Sequence, residues 1–250
     1  VEKAGRLFSE RVAGVYPFIC IILFQITVFF VKFQTVKLIN RYLDHTLLRP
    51  EATENEIDKL IEETLAFKFA ALCVHPLWVK KIAAGLNGSA VGVCTVVGFP
   101  LGSNLTETKA KEAELALSDG ATELDMVLPI GLLKAGNWRA VYDDIHQVVE
   151  AAPSLVIKVI LETCYLSNEE IVQGCELSVD AGAHFVKTST GFGPGGATVE
   201  AVKLMRRTVG EKFGVKASGG IRNYQTALAL IEAGANRIGS SSSVAICSSK

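Results

Sequence analysis

Short apolar runs recur eight times after about Lys37, and each gap between them is long enough to hold a helix. The runs are RYLDHT (41–46), AALCVH (70–75), AVGVCTVVG (90–98), TELDMVL (122–128), LVIKVILE (155–162), HFVKTS (184–189), GVKAS (214–218) and NRIGSS (236–241). The gaps carry helix signals. Thr53 with Glu56 and Ser167 with Glu170 have capping-box spacing, and Val202, Met205 and Val209 share one helical face. Gly-Ala pairs at Gly120, Gly182 and Gly234 each stand just before a run, where glycine supplies the left-handed residue that ends a helix. Eight strand–helix units in little over 200 residues predict a (β/α)8 TIM barrel, because right-handed crossovers of this number close on themselves. An open doubly wound sheet is the other arrangement with this beat, but no G-x-G-x-x-G opens a helix after the first strand.

In such a barrel the chemistry gathers at the carboxyl ends of the strands. Run four carries Asp125, run five Lys158, run six Lys187 and run seven Lys216. One such residue reads as a structural ion pair or an outward-pointing lysine. Four on adjacent strands read differently, because three cations facing one anion leave excess buried charge, which is costly unless used. An amine nucleophile is the use that fits. A lysine ordinarily titrates near ~10.4, so being largely neutral at pH 7 requires its charged form to be destabilised by about 4.6 kcal/mol. Burial and a second ammonium both act in that direction, which suits Schiff-base chemistry on a carbonyl substrate. Runs seven and eight end in ASGGIRN and IGSSSS, placing Gly219, Gly220 and several serines where barrel enzymes bind phosphate.

The net charge of −1 over 250 residues offers no broad basic face for nucleic acid. Six cysteines without a CxxC pair suggest free thiols in a reducing, cytoplasmic setting. Residues 14–31, GVYPFICIILFQITVFFV, form an uncharged run that just reaches membrane-spanning length, although Pro17, Gln25 and Thr27 interrupt it. A membrane or targeting segment, or an apolar extension packed on the barrel or a second subunit, would each account for it. The expected division is therefore an N-terminal extension, 1–37, and a barrel domain, 38–250.

The motifs LDHTLL, VVGFPLGSN, ELDMVLPIG, KVILETCYL, GAHFVKTSTGFG, VKASGGIR and RIGSSS, in that order from about Leu38 to about Ala245, closely resemble the deoxyribose-phosphate aldolases. The resemblance implies a class I carbon–carbon lyase that reversibly cleaves 2-deoxy-D-ribose 5-phosphate to D-glyceraldehyde 3-phosphate and acetaldehyde, without cofactor or metal, as a dimer or larger homo-oligomer. By position it implies that Lys187 forms the Schiff base, Lys216 depresses the Lys187 pKa and Asp125 moves protons through an ordered water. Lys158 would support Asp125, and Cys73 would lie near the substrate as a contact. Thr190, Gly191, Gly219, Gly220, Gly239, Ser241 and Ser242 would hold the sugar phosphate. Two departures stand out. Some members place a lysine directly after TSTG, where this chain has Phe192, and some close the site with a C-terminal tyrosine, which VAICSSK lacks.

A metal-dependent lyase on the same barrel would instead use Asp44, His45 and His75 at the ends of runs one and two. No H-x-H is present, and zinc sites usually want three well-placed protein ligands.

Overall fold

The computed structural model describes residues 39–248, and the apolar run at 14–31 lies outside them. Eight parallel strands close into a barrel in sequence order. They are β1 (Leu43–Leu47), β2 (Ala71–Val74), β3 (Gly92–Val97), β4 (Glu123–Val127), β5 (Val156–Ile160), β6 (Phe185–Lys187), β7 (Gly214–Ser218) and β8 (Arg237–Ser240). Closure is by β8 on β1, with Leu43 opposite Ile238, Asp44 opposite Gly239 and His45 opposite Ser240. Seven of the strands fall within their apolar runs, and β1 extends one residue past its run, to Leu47.

The strands are separated by α1 (Glu54–Phe67), α2 (Val79–Gly85), α3 (Thr106–Ser118), the pair α4 (Ile130–Lys134) and α5 (Trp138–Ala151), α6 (Asn168–Asp180), α7 (Val199–Val209) and α8 (Tyr224–Glu232), with α9 (Ser243–Ser248) after β8. At the start of α6 the Ser167 hydroxyl accepts the Glu170 N–H at 3.2 Å, and Glu170 accepts the Ser167 N–H at 2.8 Å. The three Gly-Ala pairs all form the same stop. Gly120, Gly182 and Gly234 adopt positive φ, and the alanine after each donates its N–H back to Ala116, Ser178 or Leu230. This six-to-one hydrogen bond satisfies a helix-end carbonyl and turns the chain into the next strand.

Apolar side chains fill the space between strands and helices, among them Ile57 of α1, Val141 and Ile145 of α5, and Val202 and Met205 of α7, all fully buried. Among the described residues no helix is long and apolar enough to cross a membrane.

Candidate active site

Asp125 is the centre of the barrel's polar interior. It is fully buried, with Oδ1 2.9 Å from Lys158 Nζ and Oδ2 2.7 Å from both Lys187 Nζ and Lys216 Nζ. Strand register explains the gathering. Asp125 stands opposite Lys158, and Lys187 stands opposite Lys216. Lys158 faces Phe185 across the next pair, so Lys187 lies two residues nearer the carboxyl end of the barrel.

A further layer surrounds this centre. Asp44 pairs with Lys216 and Arg237, and Glu123 pairs with Lys158 and Arg237 at 2.7 Å each. Four cations, Lys158, Lys187, Lys216 and Arg237, thus meet three carboxylates, Asp44, Glu123 and Asp125. Sequence reasoning did not find Glu123 or Arg237, and it considered Asp44 only as a metal ligand. The alternation of Glu123 and Asp125 on one strand was a visible signal, since residues two apart share a face.

Burial works to raise the Asp125 carboxyl, but the charges of Lys158, Lys187 and Lys216 prevail and hold it well below the usual carboxylate range. Burial works to lower Lys158 and Lys216, and the surrounding anions overcome it. Asp125 is the largest of these influences for both, so each ammonium is held above its ordinary range. Asp44 is likewise drawn down against burial by Lys216 and Arg237.

Lys187 alone of these charged groups lines the cavity, of about 400 Å³, at the carboxyl ends of the strands. Thr190, Gly191, Gly219, Gly220, Gly239 and Ser241 line it with Lys187, so the structure gathers these sequence-predicted residues around one space. Ser242 is not on its wall, and its N–H is taken by the Ser240 hydroxyl at 2.9 Å. Cys73 is fully buried, is not among the residues that line the cavity, and stands opposite Cys94 in the β2–β3 ladder. Lys158 is also fully buried and reaches the cavity only through Asp125. Two arginines that sequence reasoning passed over, Arg49 and Arg222, line the same space. The Phe192 ring stands on this wall edge-on to Phe99, with centroids 5.3 Å apart.

Gly219 shows why the wall needs glycine. Its φ is +90°, and a Cβ there would lie 2.9 Å from the Gly196 Cα.

Asp44, His45 and His75 do not converge. Asp44 faces Lys216 and Arg237, His45 Nε2 is 2.9 Å from Glu63, and His75 Nε2 is 2.7 Å from the Leu48 carbonyl. Cys73, Cys94 and Asp125 do bring ligand atoms within 4.8 Å of one another, as do Asp44, Cys94 and Glu123. Every carboxylate in those sets is already engaged by lysine or arginine, whose charge opposes entry of a cation.

A closed parallel barrel with an amine lining its carboxyl-end cavity, beside a buried carboxylate, is the arrangement of a class I barrel aldolase. Residues 39–249 match the model of the DeoC/LacD family aldolases, and the chain belongs to that family. It is 58% identical over 208 residues to a deoxyribose-phosphate aldolase of Streptococcus gordonii, covering 83% of this chain and 94% of that protein. To the deoxyribose-phosphate aldolase of Caldanaerobacter subterraneus subsp. tengcongensis it is 57% identical over 218 residues, with coverage of 86% and 94%. Among solved structures, the deoxyribose phosphate aldolase of Aeropyrum pernix, described as a tetramer, superposes with a TM-score of 0.78 at 36% identity, over 82% of this chain and 88% of that one.

Proposed function

We propose that this protein cleaves 2-deoxy-D-ribose 5-phosphate reversibly to D-glyceraldehyde 3-phosphate and acetaldehyde through a Schiff base on Lys187. The observation that carries this reading is the position of Lys187, the one member of the buried charge network that reaches the cavity. The relatives named above supply the substrate.

In the reaction, the Lys187 amine attacks C1 of the open-chain sugar, and loss of water leaves the imine. Asp125 Oδ2, at 2.7 Å, is placed to take and return the proton this step moves. Removal of the C3 hydroxyl proton breaks the C2–C3 bond, and its electrons pass to the imine as an enamine. D-glyceraldehyde 3-phosphate leaves. The enamine is protonated at C2, and hydrolysis returns acetaldehyde and the free amine. Lys216, held charged between Asp125 and Asp44, is a fixed cation beside Lys187. The network carries four cations against three carboxylates, an excess that is costly in the interior unless used.

The phosphate would lie at the end of the cavity formed by Gly191, Gly219, Gly220, Gly239 and Ser241. Arg222 supplies positive charge on the cavity wall, where Lys is absent at position 192, while Arg49 on the same wall is paired with Glu51 and Glu56. Residues 38–250 would form the catalytic domain and 1–37 an extension. A cytoplasmic homo-oligomer fits the small-molecule chemistry and the tetramer described for the Aeropyrum pernix relative.

Borohydride reduction in the presence of 2-deoxyribose 5-phosphate should leave a stable adduct that peptide mass spectrometry maps to Lys187 and that Lys187→Ala abolishes. If the sugar phosphate binds but no lysine is labelled, the Schiff-base reading is wrong.

A further inference from the structure

Glu162, just beyond β5, is a buried carboxylate that the charge network at the barrel's centre does not use. Its backbone is left-handed, with φ 55° and ψ 62°, which is uncommon for any residue but glycine. It is only 2% exposed. Among the described residues no lysine or arginine forms an ion pair with it. A carboxylate taken out of water without a cation needs hydrogen-bond donors in compensation.

Those donors come mainly from the segment after β6. The Thr190 N–H lies 3.3 and 3.2 Å from the two Glu162 oxygens, and the Thr190 hydroxyl donates to Oε2. The Cys164 thiol adds a weak contact at 3.8 Å. Gly193 packs so closely that a Cβ there would sit 3.2 Å from the Glu162 carboxyl carbon. From the other side, the Ala197 N–H donates to the Gly219 carbonyl at 3.1 Å. The segment is thus pinned between the ends of β5 and β7. Within it, the Phe192 N–H donates to the Thr190 hydroxyl oxygen at 3.0 Å. Both Thr190 donors and the Phe192 amide are therefore already spent, while the Gly191 N–H, on the cavity wall, has no protein acceptor among the described residues.

We propose that Glu162 is a positioning residue for the phosphate end of the substrate: by taking both donors of Thr190, it holds the Gly191 amide toward the cavity as the donor this segment offers to a phosphate oxygen. Thr190 then acts as the link between Glu162 and that amide, and is not itself a phosphate donor. This rests on the sugar-phosphate reading above.

The test uses the full chain with Glu162→Ala, Glu162→Gln and Thr190→Val. KM and kcat are measured for cleavage of 2-deoxyribose 5-phosphate and of unphosphorylated 2-deoxyribose, alongside borohydride trapping of acetaldehyde on Lys187. Glu162→Ala should raise KM for the phosphorylated sugar at least ten-fold. Its KM for 2-deoxyribose and its acetaldehyde trapping should stay within two-fold of the parent. Glu162→Gln, which keeps an oxygen for the Thr190 N–H, should recover part of the loss. Thr190→Val, which removes one donor and leaves the carboxylate in place, should raise KM for the phosphorylated sugar. An unchanged KM for the phosphorylated sugar in Glu162→Ala, whatever Thr190→Val does, or an equal rise for both sugars, overturns the positioning role while parental trapping leaves the aldolase reading standing. Absence of trapping in the parent sinks both.

Discussion

At Asp125 two lysines share one oxygen, and that arrangement makes its carboxylate the residue on which both stability and proton movement turn. Asp125→Asn should lower kcat by about 10²-fold or more, as loss of a positioned proton carrier does. It should also destabilise the fold by about 3–5 kcal/mol, because three ammonium groups lose their shared anion in the interior. Steady-state kinetics and denaturant unfolding would check the two parts. The pH dependence follows from the directions of the shifts. Asp125 and Asp44 are drawn below their unfolded values, so their contribution is present above about pH 4 and is lost as pH falls through the folded values. Lys158 and Lys216 are raised, so theirs is complete below about pH 10 and is lost only as pH rises through the folded values. Thermal melting should therefore show a broad plateau between these limits, with an acid edge that moves in Asp125→Asn. A Tm that rises as the pH is lowered through 4 would contradict it. The lysines and Asp125 could be read from the chain because each interrupts an apolar run. Arg237 could not, since its partners Asp44 and Glu123 are 193 and 114 residues away and only barrel closure brings them together. Glu162 was hidden for another reason: it ends its run where a turn residue is expected, and its partner lies in a loop.

At the level of elements, the helix stops and the strand starts carry the fold's precision. The Gly-Ala pairs were legible because only glycine tolerates the left-handed stop without strain. The bounds of β6 were less so. HFVKTS reads as a longer strand, yet the ladder ends at Lys187, after which Thr188 still bridges its neighbours by donating to Lys216 O and accepting from Thr163 N–H. Lys109 in α3 also defeats pattern reading, for it is fully buried and pairs with Asp144 of α5 at 2.8 Å where an apolar residue would be expected. Arg206 does comparable structural work at the amino ends of β7 and β8. Its guanidinium reaches the carbonyls of Gly210, Phe213 and Gly234 and the Asn236 side chain. Arg206→Met should cost about 3 kcal/mol, since several buried acceptors would lose their donor. Acetaldehyde trapping on Lys187 should stay at the parental rate at a temperature where the variant is folded, because Arg206 lies at the opposite end of the barrel from the cavity. Chemical denaturation and trapping together test this, and a large loss of trapping in the folded variant would refute it.

For the whole molecule, the barrel was readable because eight strand–helix units leave few ways to close, whereas the position of the 1–37 segment was not, since a long apolar run suits a membrane, a subunit contact or a core equally. A chain beginning at residue 38 should retain acetaldehyde trapping within two-fold of the full chain, because every member of the charge network lies on β1, β4, β5, β6, β7 or β8. Failure of that shorter chain to trap while remaining folded would make the extension part of the catalytic unit. The latch between Arg237 on β8 and Asp44 on β1 has a consequence for biosynthesis. A polypeptide emerging from the ribosome exposes its lysines long before β8 is made, and until that last strand docks there is no finished ring of charges around Asp125. Asp44 and Glu123 therefore wait unpaired with arginine until the barrel closes, and the ring of charges is completed in the same event that seals β8 onto β1.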